Sequence, residues 1–168
     1  MSINFFRKRD RTKFTLLGAV TGVIAQHPHY ACNSIEWIKA WIFNAVEHRQ
    51  VYIHFRHGLP AGFITWASVR EDTLARLIFS DYVLHWSEWT EGTFVWLLDF
   101  CLPETLPQPQ LIVLLCSVFA DRQVIYWRSS LPGSETIYRL HIAQRRLSTI
   151  DATRFVEILG KPERIKGV

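Results

Sequence analysis

Cysteine is scarce in this chain of 168 residues. Cys32, Cys101 and Cys116 are odd in number and widely spaced, with no CxxC pair and no Cys/His ligand spacing. That argues against a disulfide framework and a structural zinc site, and free thiols suit a reducing compartment. A Gly-rich phosphate loop, an HExxH pair and a GxSxG elbow are missing too, so any catalysis must rest on dispersed groups. Long apolar runs are also lacking. Cys101–Ala120, the longest nearly uncharged stretch, is interrupted by Glu104 and by Pro103, Pro107 and Pro109, which makes it a poor membrane span. Met1–Lys13 is basic but no signal-peptide cleavage pattern follows it. The expectation is a cytoplasmic protein without a transmembrane segment. Charge of one sign does not dominate either, with 19 Lys and Arg against 15 Asp and Glu.

The basic residues that are present cluster. Arg7, Lys8, Arg9, Arg11 and Lys13 form one group, and Arg145, Arg146, Lys161, Arg164 and Lys166 thicken the C-terminal part. No nucleic-acid recognition motif accompanies them, so nucleic acid is not the expected partner. An acidic protein partner fits as well as a merely solvated surface does. Aromatic residues are plentiful, with seven Trp and eleven Phe, so a core or an interface is built from large side chains. Neither an internal repeat nor a long linker is visible. The chain divides into a basic N-terminal segment over 1–14 and one domain over 15–168.

Apolar spacing predicts a helix over Thr15–Gln26, ended by Pro28, and a second from an Asn33 cap with Glu36 behind it to about His48. The period then becomes two. Val51–Arg56 and Ala61–Val69 flank "HGLP" as a β-hairpin. Glu71–Phe79 reads as a short helix, "HWSEWTEG" as a loop and "FVWLLDFC" as a strand. Gln110–Ala120 is a buried helix or a strand. Val124–Arg128 and Thr136–Ile142 are strands around "LPGS", and Thr149–Leu159 is a closing helix stopped by Gly160 and Pro162. This order is α+β, with a mostly antiparallel central sheet flanked by helices.

Two places concentrate chemistry. "QHPHY" sets His27 and His29 around a proline directly after a helix. A stiff helix exit aims a side chain, and imidazole is suited to taking a proton near neutral pH. Asp99 is the single charge in an apolar strand, where an unpaired carboxylate is costly. It either orients a histidine or pairs with a buried arginine such as Arg128 or Arg139. The plain reading of the two histidines is hydrogen bonding to loop carbonyls. His48, His54, His57, His85 and His141 are taken as structural or exposed. Trp66, Trp89 and Trp96 are candidates for an acyl or aromatic pocket, against the commoner role of core residues. Cys101 and Cys116 have no base near them in sequence, which leaves a thiol nucleophile a minor reading.

Taken together, these segments resemble the toxin-activating lysine acyltransferases, the HlyC-like proteins that mature RTX hemolysins. The resemblance runs from "LGAVTGVIAQHPH" through "NAVEHRQVYIHFRHGLPAGFITWASV" to "SEWTEGTFVWLLDFCLP". The last block follows the family's D-W-T-S-G-D-x-x-W-F-I-D-W-x-A-P, matching it at Trp89, Thr90, Gly92, Trp96, Asp99 and Pro103. The resemblance implies a GNAT-like acyltransferase fold, with His29 and Asp99 as the catalytic pair and His27 as the alternative base. It implies no bound cofactor, an acyl carrier protein thioester as donor, a lysine of a protoxin as acceptor, and a homodimer or hetero-oligomer. Departures stand beside these matches. "HPH" replaces the family's S-P-x-H, Thr93 replaces an aspartate, and "CLPE" replaces A-P-F-G. Similar proteins also occur in microcin maturation, where with a larger partner protein they are implicated in joining a glucosylated catechol siderophore to the C-terminal serine of a microcin precursor. A third reading is a non-catalytic assembly subunit.

Overall fold

The computed structural model describes residues 8–103, 106–129 and 134–159, with only the backbone at 8–11 and 29. The fold is α+β. Its six-stranded sheet has the order β1-β2-β3-β4-β5-β6. The strands are β1 (Val51–Arg56), β2 (Leu59–Val69), β3 (Phe94–Cys101), β4 (Val124–Arg128), β5 (Thr136–His141) and β6 (Arg146–Asp151). The pairs β1–β2, β4–β5 and β5–β6 are antiparallel. β3 and β4 run parallel, in register at Val95↔Ile125 and Trp96↔Tyr126.

The chain separates into two compact units. The first holds the described residues up to Thr65 together with Asp99–Pro103. It begins with α1 (Lys8–Gln26), which starts inside the segment expected to precede the domain. Next come α2 (Pro28–Ala31) and a helix read from sequence as one piece. That helix is α3 (Ile35–Trp37), a π-helical stretch Ile38–Phe43, and α4 (Asn44–Glu47). Its cap is Ser34, not the expected Asn33. Ser34 Oγ accepts the Trp37 N–H at 3.1 Å, while the Asn33 N–H closes the preceding turn on Tyr30. A cap must stand immediately before the first helical residue, and here that residue is Ile35. The β1–β2 turn is His57–Gly58, both at positive φ, the conformation of the tight two-residue hairpin. The core of this unit packs Val20, Val23, Ile24, Ile42, Ile53, Phe63 and Cys101. Lys13 pairs with Glu47, its ammonium 4.0 Å from the Phe43 ring centroid.

The second unit contains Trp66–Leu98 and the described residues from Leu106 on. α5 (Glu71–Phe79) occupies the predicted span. "HWSEWTEG" is not wholly irregular, since Trp86–Thr90 forms a 3₁₀ helix. The undecided segment is α6 (Gln108–Val118), with proline in its first turn, where the missing N–H costs nothing. The expected closing helix over Thr149–Leu159 is corrected. Residues up to Asp151 belong to β6, and α7 is Ala152–Leu159. Pairing with β5 draws residues 146–151 into the sheet, and Asp151 Oδ1 then accepts the N–H groups of Thr153 (3.0 Å) and Arg154 (3.3 Å) as the helix cap. Most of "LPGS", together with Gly160 and Pro162, lies outside the described residues.

Candidate active site

Strand β3 carries Asp99 one residue past Leu98, at a half-buried position. Its partner is Thr65 on β2, a fully buried threonine. Thr65 Oγ1 donates to Asp99 Oδ2 at 3.0 Å and accepts the Asp99 N–H at 3.1 Å. One hydroxyl thus meets both the carboxylate and the strand's own amide. Desolvation raises the Asp99 pKa from 3.8 to about 6, and the Thr65 hydrogen bond opposes the rise only in part. Arg128 donates to the carbonyls of Ser134 and Ile78, and Arg139 to Ser148 Oγ. Among the described residues, neither supplies the arginine pair that would have made Asp99 an ordinary salt bridge.

The segment "HPHY" comes to this strand through its tyrosine. Pro28 starts α2, and His27 stands immediately before it in extended conformation. Tyr30 packs on Phe63 (centroids 5.8 Å apart) and Trp37 (6.0 Å) and hydrogen bonds the backbone of Phe100. Burial, then the charge on Asp99, push its phenol well above the ordinary range. Tyr30 and Thr65 are the neighbours of Asp99 that the sequence reading passed over. A signal existed for Tyr30, which stands two residues after Pro28, where S-P-x-H carries its histidine. The Thr65 signal, one hydroxyl inside an apolar strand, is faint. The side chain of His29 lies outside the described residues.

Cys101 follows on the same strand and is buried. Desolvation and then the Asp99 charge push its thiol up to about 11, which leaves little thiolate. All three cysteines are free thiols. Among the described residues, no cluster of three metal-ligating side chains occurs.

The pocket candidates fall in the second unit. Trp89 is fully buried and Trp96 is 5% exposed. Trp66 meets Phe119 edge-on, with centroids 4.9 Å apart. The motif around Trp89 has a structural explanation in this unit. A Cβ on Gly92 would fall 1.8 Å from the Val69 carbonyl oxygen, so only glycine fits, and the Gly92 N–H donates to Ser68 O at 2.8 Å. Desolvation pushes Glu88 up, but the Tyr82 hydroxyl (2.7 Å), the His85 N–H (2.7 Å) and Arg76 (2.9 Å) together hold it below the usual carboxylate range.

These features define an α+β protein in which one strand carries a carboxylate that burial raises above the usual range, held by a buried threonine hydroxyl. A model of the RTX toxin acyltransferase family, HlyC, matches residues 9–144, and the chain belongs to that family. It is 23% identical over 93 residues to the RTX-II toxin-activating lysine-acyltransferase ApxIIC of Actinobacillus pleuropneumoniae, covering 55% of this chain and 58% of the relative. It is 24% identical over 94 residues to the leukotoxin-activating lysine-acyltransferase LktC serotype A11 of Mannheimia haemolytica, covering 56% of each. The chain spans about half the length of the curated relatives it matches.

Proposed function

We propose that the chain is an acyltransferase that moves an acyl group from an acyl carrier protein thioester to the ε-amino group of a lysine in a protoxin. A lysine amine is normally protonated at neutral pH and must lose its proton to attack. In the proposed step His29 takes one proton from the ammonium, the neutral amine adds to the thioester carbonyl, and the tetrahedral oxyanion collapses with cleavage of the C–S bond. The imidazolium returns its proton to the leaving carrier thiolate, while the new amide nitrogen gives its surplus proton to solvent. Asp99 holds the imidazole in the tautomer that accepts, and backbone N–H groups stabilise the oxyanion. The observation that carries this reading is the Asp99 carboxylate held by the buried Thr65 hydroxyl at 3.0 Å, with Tyr30 of "HPHY" beside it, inside the residues that the family model matches. A GNAT-like architecture is part of the proposal, supported by the parallel β3–β4 pair among antiparallel ones. So are an oligomeric state above monomer, checked by sedimentation, and a cytoplasmic location. Among the described residues, no helix is long and apolar enough to cross a membrane.

The test is the intact mass of a co-expressed acceptor. A fatty-acyl increment supports lysine acylation. A glycosylated catechol increment on a peptide, dependent on a larger partner, replaces it with the microcin reading. His29→Ala and Asp99→Asn should each cut modification by about 100-fold or more while far-UV CD stays unchanged. Loss in His27→Ala with retention in His29→Ala would move the base to His27. Full activity in both His29→Ala and Asp99→Asn would leave the mechanism without support.

A further inference from the structure

The second unit holds a cavity of about 780 Å³ that the acyl-transfer reading leaves unused. It is lined from β4, β5, β6 and α7, with Phe94 of β3 at one side. Strand register explains its chemistry. Val124, His141 and Arg146 form one cross-strand row, and Tyr126, Arg139 and Ser148 form the next but one. Alternate residues share a sheet face, so Arg139, His141 and Arg146 stand on the same side in adjoining positions. Arg122, ion-paired with Asp121 at 3.3 Å, lines the cavity from the turn before β4.

Among the described residues, no carboxylate lines this cavity. Arg139 is fixed by its Nε–H to Ser148 Oγ at 3.2 Å, and among the described residues neither it nor Arg146 has an acidic partner. Arg139 and Arg146 act on His141, which desolvation first, then these two arginines, hold below the usual histidine range. Alongside the cations runs an apolar, aromatic wall. Tyr126 lies 5.0 Å from the Phe155 centroid and 6.2 Å from that of Phe94, and Leu159 and Ile158 extend the wall along α7. An ordinary solvated basic face has acids interspersed with its arginines and no hollow beside them. The volume lies within the roughly 300–1,000 Å³ common for small-molecule sites.

We propose that this cavity binds an amphipathic organic anion, an apolar chain or ring ending in a carboxylate or phosphate. Arg139 and Arg146 take the head group through charge-assisted hydrogen bonds, and Tyr126, Phe155 and Ile158 take the apolar body. The inference stands apart from acyl transfer, because binding here requires neither Asp99 nor an acceptor.

Titration of the full chain, with isoleucine methyls labelled for NMR, tests it. Decanoate is the probe, decyl phosphate carries the second head group, decanol is the uncharged control, and inorganic phosphate is the head alone. Decanoate or decyl phosphate should shift Ile150 and Ile158 saturably, and the tighter of the two identifies the head group. Decanol and inorganic phosphate should bind at least about 10-fold more weakly. The double variant Arg139→Gln, Arg146→Gln should lose affinity by a similar factor with its melting temperature retained. If the double variant unfolds, Arg146→Gln alone, at an exposed position, serves instead. The proposal falls if neither anion shifts these methyls, if decanol binds as tightly, or if the arginine variants bind undiminished.

Discussion

Burial raises the Asp99 pKa to about 6, and the single Thr65 hydroxyl that meets its carboxylate offsets this only in part. The consequence for stability has a definite sign. A carboxyl whose folded pKa is raised binds its proton more tightly in the native state than in the unfolded one. Its stabilising contribution is therefore complete below about pH 4 and is lost as pH rises through about 6. Two pKa units correspond to about 3 kcal/mol at most. Asp99→Asn keeps an oxygen for Thr65 and carries no charge. The variant should be more stable than the parent at pH 8 by about 1–3 kcal/mol, with the difference gone at pH 4, as urea denaturation at both pH values would measure. Equal stability at pH 8 would show that the carboxylate is better solvated than its surroundings indicate. A site that costs stability when ionised is expected where function requires the charge. Asp99 was legible from sequence because a lone charge in "FVWLLDFC" is conspicuous. Thr65 was not, and for Tyr30 only its spacing from Pro28 gave a signal, since both roles depend on which strand and helix adjoin β3.

At the scale of elements, the block "SEWTEG" is a buttress. Trp89 fills the core, Glu88 ties Tyr82, His85 and Arg76 together, and Gly92 lets the chain pass against the backbone at Val69. Gly92→Ala should cost about 2–4 kcal/mol, because the added methyl meets backbone atoms that no rotamer change can move aside. A melting temperature within a degree or two of the parent would contradict that crowding. α5, β1 and β4 were readable because period and end signals agree there. Sequence reasoning failed at β6, where a helix-like pattern over 149–151 is overridden by hydrogen bonding to β5. It failed also at the Ser34 cap, where two adjacent polar residues compete and the backbone path decides.

For the whole molecule, the net charge of +4 matters for association more than for folding. If the donor is an acidic carrier protein, attraction to the basic clusters should be screened as the Debye length shortens. The apparent KM for the carrier should rise severalfold between about 50 and about 300 mM salt, with kcat nearly unchanged. A salt-independent KM would remove charge from the account of recognition.

By itself the sequence determined the α+β class, the hairpin, the anomaly at Asp99 and the spacing of the Trp89–Asp99 block, because these follow from period, turn chemistry and the cost of a buried charge. The tertiary structure alone decided what Asp99 touches, why position 92 must be glycine, and which cations share a sheet face beside an aromatic wall. The first two arise from segments far apart in sequence meeting, and the third from the register of β4, β5 and β6, and local pattern specifies neither.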